Sequence, residues 1–143
     1  MFSYSVKFIC GVQNAPPEKQ PCTVVRQGGY ATEINIHNFN RREEAKIQKR
    51  ALLLVHNDSP VGREPRIAKP QPFDEITLPP DTATMDDCCR FAEKLQTTPG
   101  RLSVGFLELL SNVELNVVAV YTATDLKAVS ISIEVETINA RQI

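Results

Sequence analysis

Residues 30–38 read Tyr-Ala-Thr-Glu-Ile-Asn-Ile-His-Asn, which is the clearest alternation of apolar and polar residues in the chain. Thr32, Ile34 and Ile36 alternate with polar residues. Successive side chains of a β-strand point to opposite faces of the sheet. The stretch therefore predicts a strand with one face in a core and the other in solvent.

The same two-residue period recurs along the rest of the chain. A polar turn after residue 38 predicts a long hairpin formed by residues 30–38 and 46–55. A helix competes for residues 41–54, which are rich in good helix formers, but the alternation of apolar residues favours a strand. Ser111-Asn112 predicts a two-residue turn between two further strands. Together with 30–38, the predicted strands are 4–10, 46–55, 73–78, 102–110, 113–121 and 129–137.

One segment has a helical pattern instead. Asp86 or Asp87 is an acceptable N-cap, and apolar side chains follow at three- and four-residue spacings until Thr97. The apolar positions are Cys88, Phe91, Ala92 and Leu95.

These elements predict one domain over residues 1–143, an all-β, antiparallel, immunoglobulin-like β-sandwich of about seven strands with one short helix. Strands do not alternate with helices, which argues against a parallel α/β sheet. The predicted core is Val6, Phe8, Ile34, Ile36, Leu53, Ile76, Phe91, Leu95, Phe106, Leu115, Val117, Ala119, Ile131 and Ile133.

Composition excludes several classes of protein. The 143 residues carry 16 basic and 17 acidic side chains, and this near-neutral balance argues against nucleic-acid binding. Apolar runs are far shorter than the ~20 residues that span a bilayer, so we expect no membrane span. The N-terminus does not resemble a signal peptide. We therefore expect a cytoplasmic protein whose four cysteines are free thiols.

Glu33, Asn35 and His37 form the first candidate site. They share one strand face at intervals of ~7 Å, where they could bind a carbohydrate or another protein subunit. The alternative is an ordinary solvent-facing strand surface. The two histidines of the chain are too few for a zinc site, so we expect neither a metal nor a cofactor.

Cys88 and Cys89 form the second candidate site, for redox chemistry. A helix start lowers the pKa of a nearby thiol, whereas the preceding Asp86 and Asp87 raise it. A redox role would pair Cys89 with Cys10 or Cys22, but Cys88 also fits the apolar helix stripe and could simply pack in the core.

No catalytic residue is predicted. Ser103 is not a nucleophile elbow because position 101 is arginine rather than glycine. A basic cluster around residues 41–50 is balanced by Glu43 and Glu44, and we expect it to be a solvated hairpin tip.

Residues 52–55 and 117–120 are apolar on both strand faces. The outer face of each should therefore be covered by the helix, a loop or another subunit. This pattern predicts a homo-oligomer.

Residues 30–38, 78–81, 105–108 and 113–122 resemble a small bacterial β-sandwich family without an established activity. The order of strands and turns, with Pro60-Val61-Gly62 and Ser111-Asn112-Val113, is more distantly similar to the sensory-rhodopsin transducer family. That resemblance implies a small, soluble homo-oligomer that binds partners rather than a catalyst.

We therefore expect a non-enzymatic binding or assembly module that acts as a homo-oligomer, with a protein or carbohydrate partner. A carbohydrate or small-ligand binding protein is the first alternative. A thiol-dependent redox or metal-binding protein is the second.

Overall fold

The computed structural model describes the backbone of residues 1–143 and the side chains at every position except 20 and 21. Nine strands and one α-helix lie along the described backbone. They are β1 Phe2–Gln13, β2 Gly28–Asn38, β3 Ala45–Val55, β4 Gln71–Leu78, β5 Thr82–Asp86, α1 Cys88–Leu95, β6 Ser103–Ser111, β7 Asn116–Thr124, β8 Ile131–Ile138 and β9 Arg141–Gln142.

All of the strand pairs are antiparallel, and they form one continuous path in the order β4-β3-β6-β1-β2-β7-β8. In addition, β5 pairs with β2, and β9 pairs with β1. The all-β antiparallel fold with one short helix is confirmed. The strands number nine rather than about seven because β5 and β9, with five and two residues, were not predicted. The immunoglobulin-like sandwich stays a prediction.

Strand β1 belongs to both halves of this path. Residues 2–10 pair with β6, and residues 11–13 pair with β2. The change occurs at Gly11, which has φ +113° and lies against the carbonyl of Arg101, where a Cβ atom would clash. We call β4, β3, β6, β1 and β9 the first half-sheet, and β5, β2, β7 and β8 the second half-sheet.

The core joins inward-facing side chains from both half-sheets. Of the fourteen core predictions, ten are confirmed as buried, whereas Ile76 and Phe106 are half-buried. The core predictions for Ile131 and Ile133 are wrong, since these residues are 71% and 68% exposed. The reason is their place on β8, which pairs with β7 alone among the described strands and exposes both of its faces.

Both predicted hairpins are wrong. Strands β2 and β3 pair with other strands, and β6 and β7 lie in different half-sheets. The buried Asn38 fixes the first crossing, since its Nδ2 donates to the carbonyl oxygens of Glu43 and Leu78 at 2.8 and 3.1 Å. In the second crossing Val113 and Leu115 are buried whereas Asn112 and Glu114 are exposed, so the chain runs along the edge of the core from one half-sheet to the other.

Helix α1 is confirmed. Asp87 is the N-cap, and its carboxylate accepts a hydrogen bond from the backbone N–H of Arg90 at 3.0 Å. Phe91 and Leu95 are the buried face. The Phe91 ring stacks on Phe8 of β1 with a centroid separation of 4.4 Å, which holds the helix against the core.

Candidate interaction surface

Glu33, Asn35 and His37 lie on the outer face of β2, as predicted, because Ile34 and Ile36 between them are fully buried. All three side chains are half-buried. The Asn35 Nδ2 donates to the carbonyl of Val118 at 3.3 Å, and His37 Nε2 lies 3.4 Å from the Asp81 carboxylate. Two of the three side chains of this row are therefore already in contact with polar groups of adjacent residues, Val118 and Asp81.

An apolar band lies beside this polar row. Strand pairing places Val118 opposite Asn35 and Val120 opposite Glu33, and residues opposite each other share a face of the sheet. Val120 in turn faces Val135, and Thr122 faces Ile133. The outer face of the second half-sheet is thus polar along β2, carries Val118 and Val120 followed by two threonines along β7, and is apolar at residues 131, 133 and 135 of β8.

The apolar band is most exposed on β8. Ile131, Ile133 and Val135 are 71%, 68% and 63% exposed, whereas Val118 and Val120 of the neighbouring strand are half-buried. We call Ile131, Ile133 and Val135 the β8 stripe. Sequence reasoning placed two of its residues in the core because alternation marks a strand with an apolar face but does not say whether anything covers that face.

The two segments that are apolar on both faces have different surroundings. The first is covered by a loop, since Gly62 lies against Leu54 and its N–H donates to the Leu54 carbonyl at 3.0 Å. In the second, residues 117–120, Val118 and Val120 are half-buried on the outer face beside β2 and β8. Leu52 and Leu54 are half-buried in the same way as Val118 and Val120, so the loop contact at Leu54 is the cover that the structure shows, and cover by another subunit stays a prediction.

Two side chains of the second half-sheet, Tyr121 of β7 and Thr32 of β2, hydrogen-bond to the backbone of β1. Tyr121, opposite Glu134, donates its hydroxyl to the Lys7 carbonyl at 2.8 Å. Burial, with Glu136 and Glu134 nearby, raises the pKa of Tyr121 to about 12. The Thr32 hydroxyl likewise binds both the N–H and the carbonyl of Ile9 at 2.9 Å. These two side chains satisfy the β1 backbone where the half-sheets diverge.

The cysteines differ from the sequence expectation. Cys10 and Cys88 form a disulfide with Cα atoms 5.7 Å apart, so the prediction that all four cysteines are free thiols is wrong. Cys22 and Cys89 are exposed thiols. The Phe8–Phe91 stack explains the pair, because Cys10 shares the inward face of β1 with Phe8 and Cys88 lies one helical turn before Phe91. A redox role for Cys88 and Cys89 stays a prediction.

A buried ion pair was missed by sequence reasoning. Lys49 Nζ lies 2.7 Å from Asp86 Oδ2, and the two side chains are 3% and 2% exposed. Arg90 Nε is 4.0 Å from the other oxygen of Asp86. The expectation of a solvated basic tip is therefore wrong at Lys49. Its position between the inward residues Ile47 and Ala51 was the available signal.

A second ionic cluster holds the outer side of α1. Arg90 donates to Asp74 of β4 at 2.5 Å, and Lys94 lies 3.8 Å from the same carboxylate. Burial opposes ionisation of Asp74, but hydrogen bonds from the Glu75 N–H and Arg90 lower its pKa below the ordinary value. Helix α1 is thus tied to both half-sheets by charge, ring stacking and a disulfide.

One shallow depression includes a residue of the predicted polar row. It measures about 400 Å³ and brings His37 together with Phe39, Asn116 and Asn139. Glu33 and Asn35 do not line it. Among the side chains that the structure describes, no three histidine, cysteine or acidic groups are arranged to hold a metal. No described helix has the length and apolar character needed to cross a membrane.

Comparisons with known proteins bear on the fold. No protein-family model matches the chain, and no curated protein sequence is similar to it. The fold is similar to that in the crystal structure of Thermotoga maritima 1070, with a TM-score of 0.51 over 96% of this chain and 91% of that chain. Only 12% of the aligned residues are identical, so this similarity supports the all-β architecture alone.

Proposed function

We propose that the protein is a non-enzymatic assembly module that forms a homo-oligomer through strand β8, at the apolar edge of its second half-sheet. The observation that carries the proposal is the β8 stripe, which continues the apolar band of β7 and is left 63–71% exposed. Large contiguous apolar surfaces of this kind mark sites of protein association.

The polar row fits the rim of such a contact. Protein interfaces have apolar centres and polar margins, and Glu33, Asn35 and His37 border the apolar band on the side away from β8. Their role as binding residues belongs to this proposal. The distant resemblance to the sensory-rhodopsin transducer family also implies assembly and partner binding.

The experiment is sedimentation velocity over a range of protein concentrations up to high micromolar. We expect the wild-type protein to sediment as an oligomer and the Ile133→Lys variant to dissociate, since a buried lysine charge is costly. Ile67→Lys is the matched control, because Ile67 is 81% exposed in the loop before β4, at the other end of the strand order. A wild-type monomer at the highest concentration would contradict the proposal.

Carbohydrate binding is the second candidate function, favoured by the depression at His37. Asn116 and Asn139 offer amide groups there, and the Phe39 ring is 46% exposed beside them. Sugars are bound by hydrogen-bonding side chains together with apolar ring faces. We expect Phe39→Ala to abolish any glycan-array signal, and an array without signal would overturn this candidate.

Two observations point to different cellular locations. The cytoplasmic location expected from the sequence stays a prediction, and the Cys10–Cys88 disulfide favours an oxidising compartment instead. Alkylation of thiols in intact cells, followed by mass spectrometry, distinguishes the two, because only reduced cysteines carry the label.

A further inference from the structure

Strand β8 is open along one edge and on both faces. Among the described strands it pairs with β7 alone, and seven of its eight residues are exposed. A free strand edge presents a row of unpaired N–H and C=O groups that can pair with another strand.

The opposite edge of the path is protected. Strand β4 contains Pro72, has a register irregularity opposite Lys49 and Arg50, and carries Asp74 and Glu75. Proline, bulges and charges are the usual devices that prevent pairing of edge strands. Strand β8 contains no proline and no register irregularity. Its two charged residues, Glu134 and Glu136, lie on the inner face, and its outward face carries the apolar β8 stripe.

We infer that β8 pairs antiparallel with β8 of a second copy of this chain, about a two-fold axis at Ile133. This inference rests on the proposed assembly function and specifies its partner and register. A two-fold axis perpendicular to the sheet relates the outer face of one copy to the outer face of the other. Residues that lie opposite each other must then point to the same face. The axis therefore passes through a residue that pairs with the same residue of the second copy.

The charges of β8 select the register. With the axis at Glu134, the two Glu134 carboxylates would oppose each other, and with the axis at Val135 each Glu134 would oppose Glu136. With the axis at Ile133, Glu134 lies opposite Ser132 and Glu136 opposite Ser130. Val135 then lies opposite Ile131.

An axis at Ser132 also avoids opposed carboxylates, but it pairs fewer residues of β8, which begins at Ile131. The axis at Ile133 therefore gives the longest pairing without opposed charges. Each residue of the β8 stripe gains a cross-strand apolar neighbour at about 4.5–5.5 Å between Cβ atoms. Its surroundings then become like those of Val118 and Val120, which have strands on both sides and are half-buried.

Cysteine cross-linking tests the register. In a Cys22→Ser/Cys89→Ser background, Ile133→Cys should form a covalent dimer under mild oxidation, because the two Cβ atoms meet at the axis. Val135→Cys alone is the matched control. Its two copies lie four residues apart along the strand, about 13 Å, which is too far for a disulfide. Co-expressed Ile131→Cys and Val135→Cys chains should cross-link with each other.

The outcomes separate this inference from the proposed function. A wild-type oligomer in which Ile133→Cys fails to cross-link overturns the β8 pairing and leaves the assembly function standing. Cross-linking of Val135→Cys alone overturns the register. A wild-type monomer overturns both, whereas cross-linking of Ile133→Cys and of the mixed chains, without the control, supports both.

Discussion

Lys49 is a charged residue at an inward position of β3, and its close partner of opposite charge is Asp86. Taking two charges out of water is costly, and a buried pair offsets that cost only while both partners are present. Removing one partner leaves an uncompensated charge in the core. Replacing both by apolar residues of similar volume is often close to neutral.

The first prediction follows from this asymmetry. Lys49→Met should lower the free energy of unfolding by about 3 kcal/mol, at the low end of the usual range because Arg90 remains 4.0 Å from Asp86. The double variant Lys49→Met/Asp86→Leu should recover most of the loss. Urea denaturation measures both, and Lys46→Met, on the exposed face of the same strand, is the control. Equal stability of Lys49→Met and the wild type would contradict the prediction.

The second prediction concerns Asp74 and pH. Its pKa is lower in the folded protein than in the unfolded chain, so the stabilisation it gives is present above its ordinary pKa of 3.8. That stabilisation is lost as the pH falls through the lower, folded-state pKa. Wild-type stability should therefore decrease more steeply than that of Asp74→Asn between about pH 4 and pH 2. Thermal melts over this range provide the measurement, with the neighbouring exposed residue altered as Glu75→Gln for comparison; parallel curves for wild type and Asp74→Asn would argue against it.

At the scale of elements, the disulfide ties α1 to β1 across 78 residues of sequence. A cross-link of this span restricts the unfolded chain and stabilises the folded state by about 4 kcal/mol in the chain-entropy account. The third prediction is that the Cys10→Ser/Cys88→Ser variant has a free energy of unfolding about 4 kcal/mol below that of the wild type. The Cys22→Ser/Cys89→Ser variant should not lose stability, because both of those residues are exposed thiols.

Thiol titration of the denatured protein checks the pairing directly. We expect two reactive thiols before reduction and four after it, since Cys22 and Cys89 are free and Cys10 and Cys88 are bonded. Four thiols before reduction would show that the bond is absent from the purified protein.

The strands and the helix could be predicted from the sequence, but most of the pairing could not. Alternation at residues 30–38 depends only on local periodicity, and it gave β2 nearly to the residue. The partners of β2 depend on where the chain crosses between half-sheets. That crossing is fixed by buried polar contacts of Asn38 with residues as distant as Leu78, which leave no periodic signal.

The candidate surface was predictable in part for the same reason. Periodicity placed Glu33, Asn35 and His37 on one face, and the excess of apolar residues at 117–120 indicated a second contact surface. It could not show that β8 ends the strand path, so Ile131 and Ile133 were assigned to a core that does not reach them. The Cys10–Cys88 bond and the Lys49–Asp86 pair both require knowledge of which elements meet.

For the molecule as a whole, the two ends of the strand path differ. Strand β4, the outermost strand on one side, carries a proline and acidic residues. Strand β8, the outermost strand on the other side, carries the apolar β8 stripe. Pairing at β8 would therefore stop at two copies, because the outermost strand of each copy would then be the protected β4. We expect the oligomer to be a closed dimer rather than a filament, and light scattering at increasing concentration measures this. Masses that rise without a plateau would contradict a closed dimer.

Strand β1 hydrogen-bonds along residues 2–10 to one half-sheet and along residues 11–13 to the other. If either half-sheet unfolds, β1 loses some of its hydrogen-bond partners. The other half-sheet is then destabilised as well, because β1 is one of its strands. This sharing predicts that the chain melts in a single cooperative transition, with the same midpoint for fluorescence and circular dichroism. In native-state hydrogen exchange, the amides of β1 paired with β6 should be among the last to open, and those of β8 among the first.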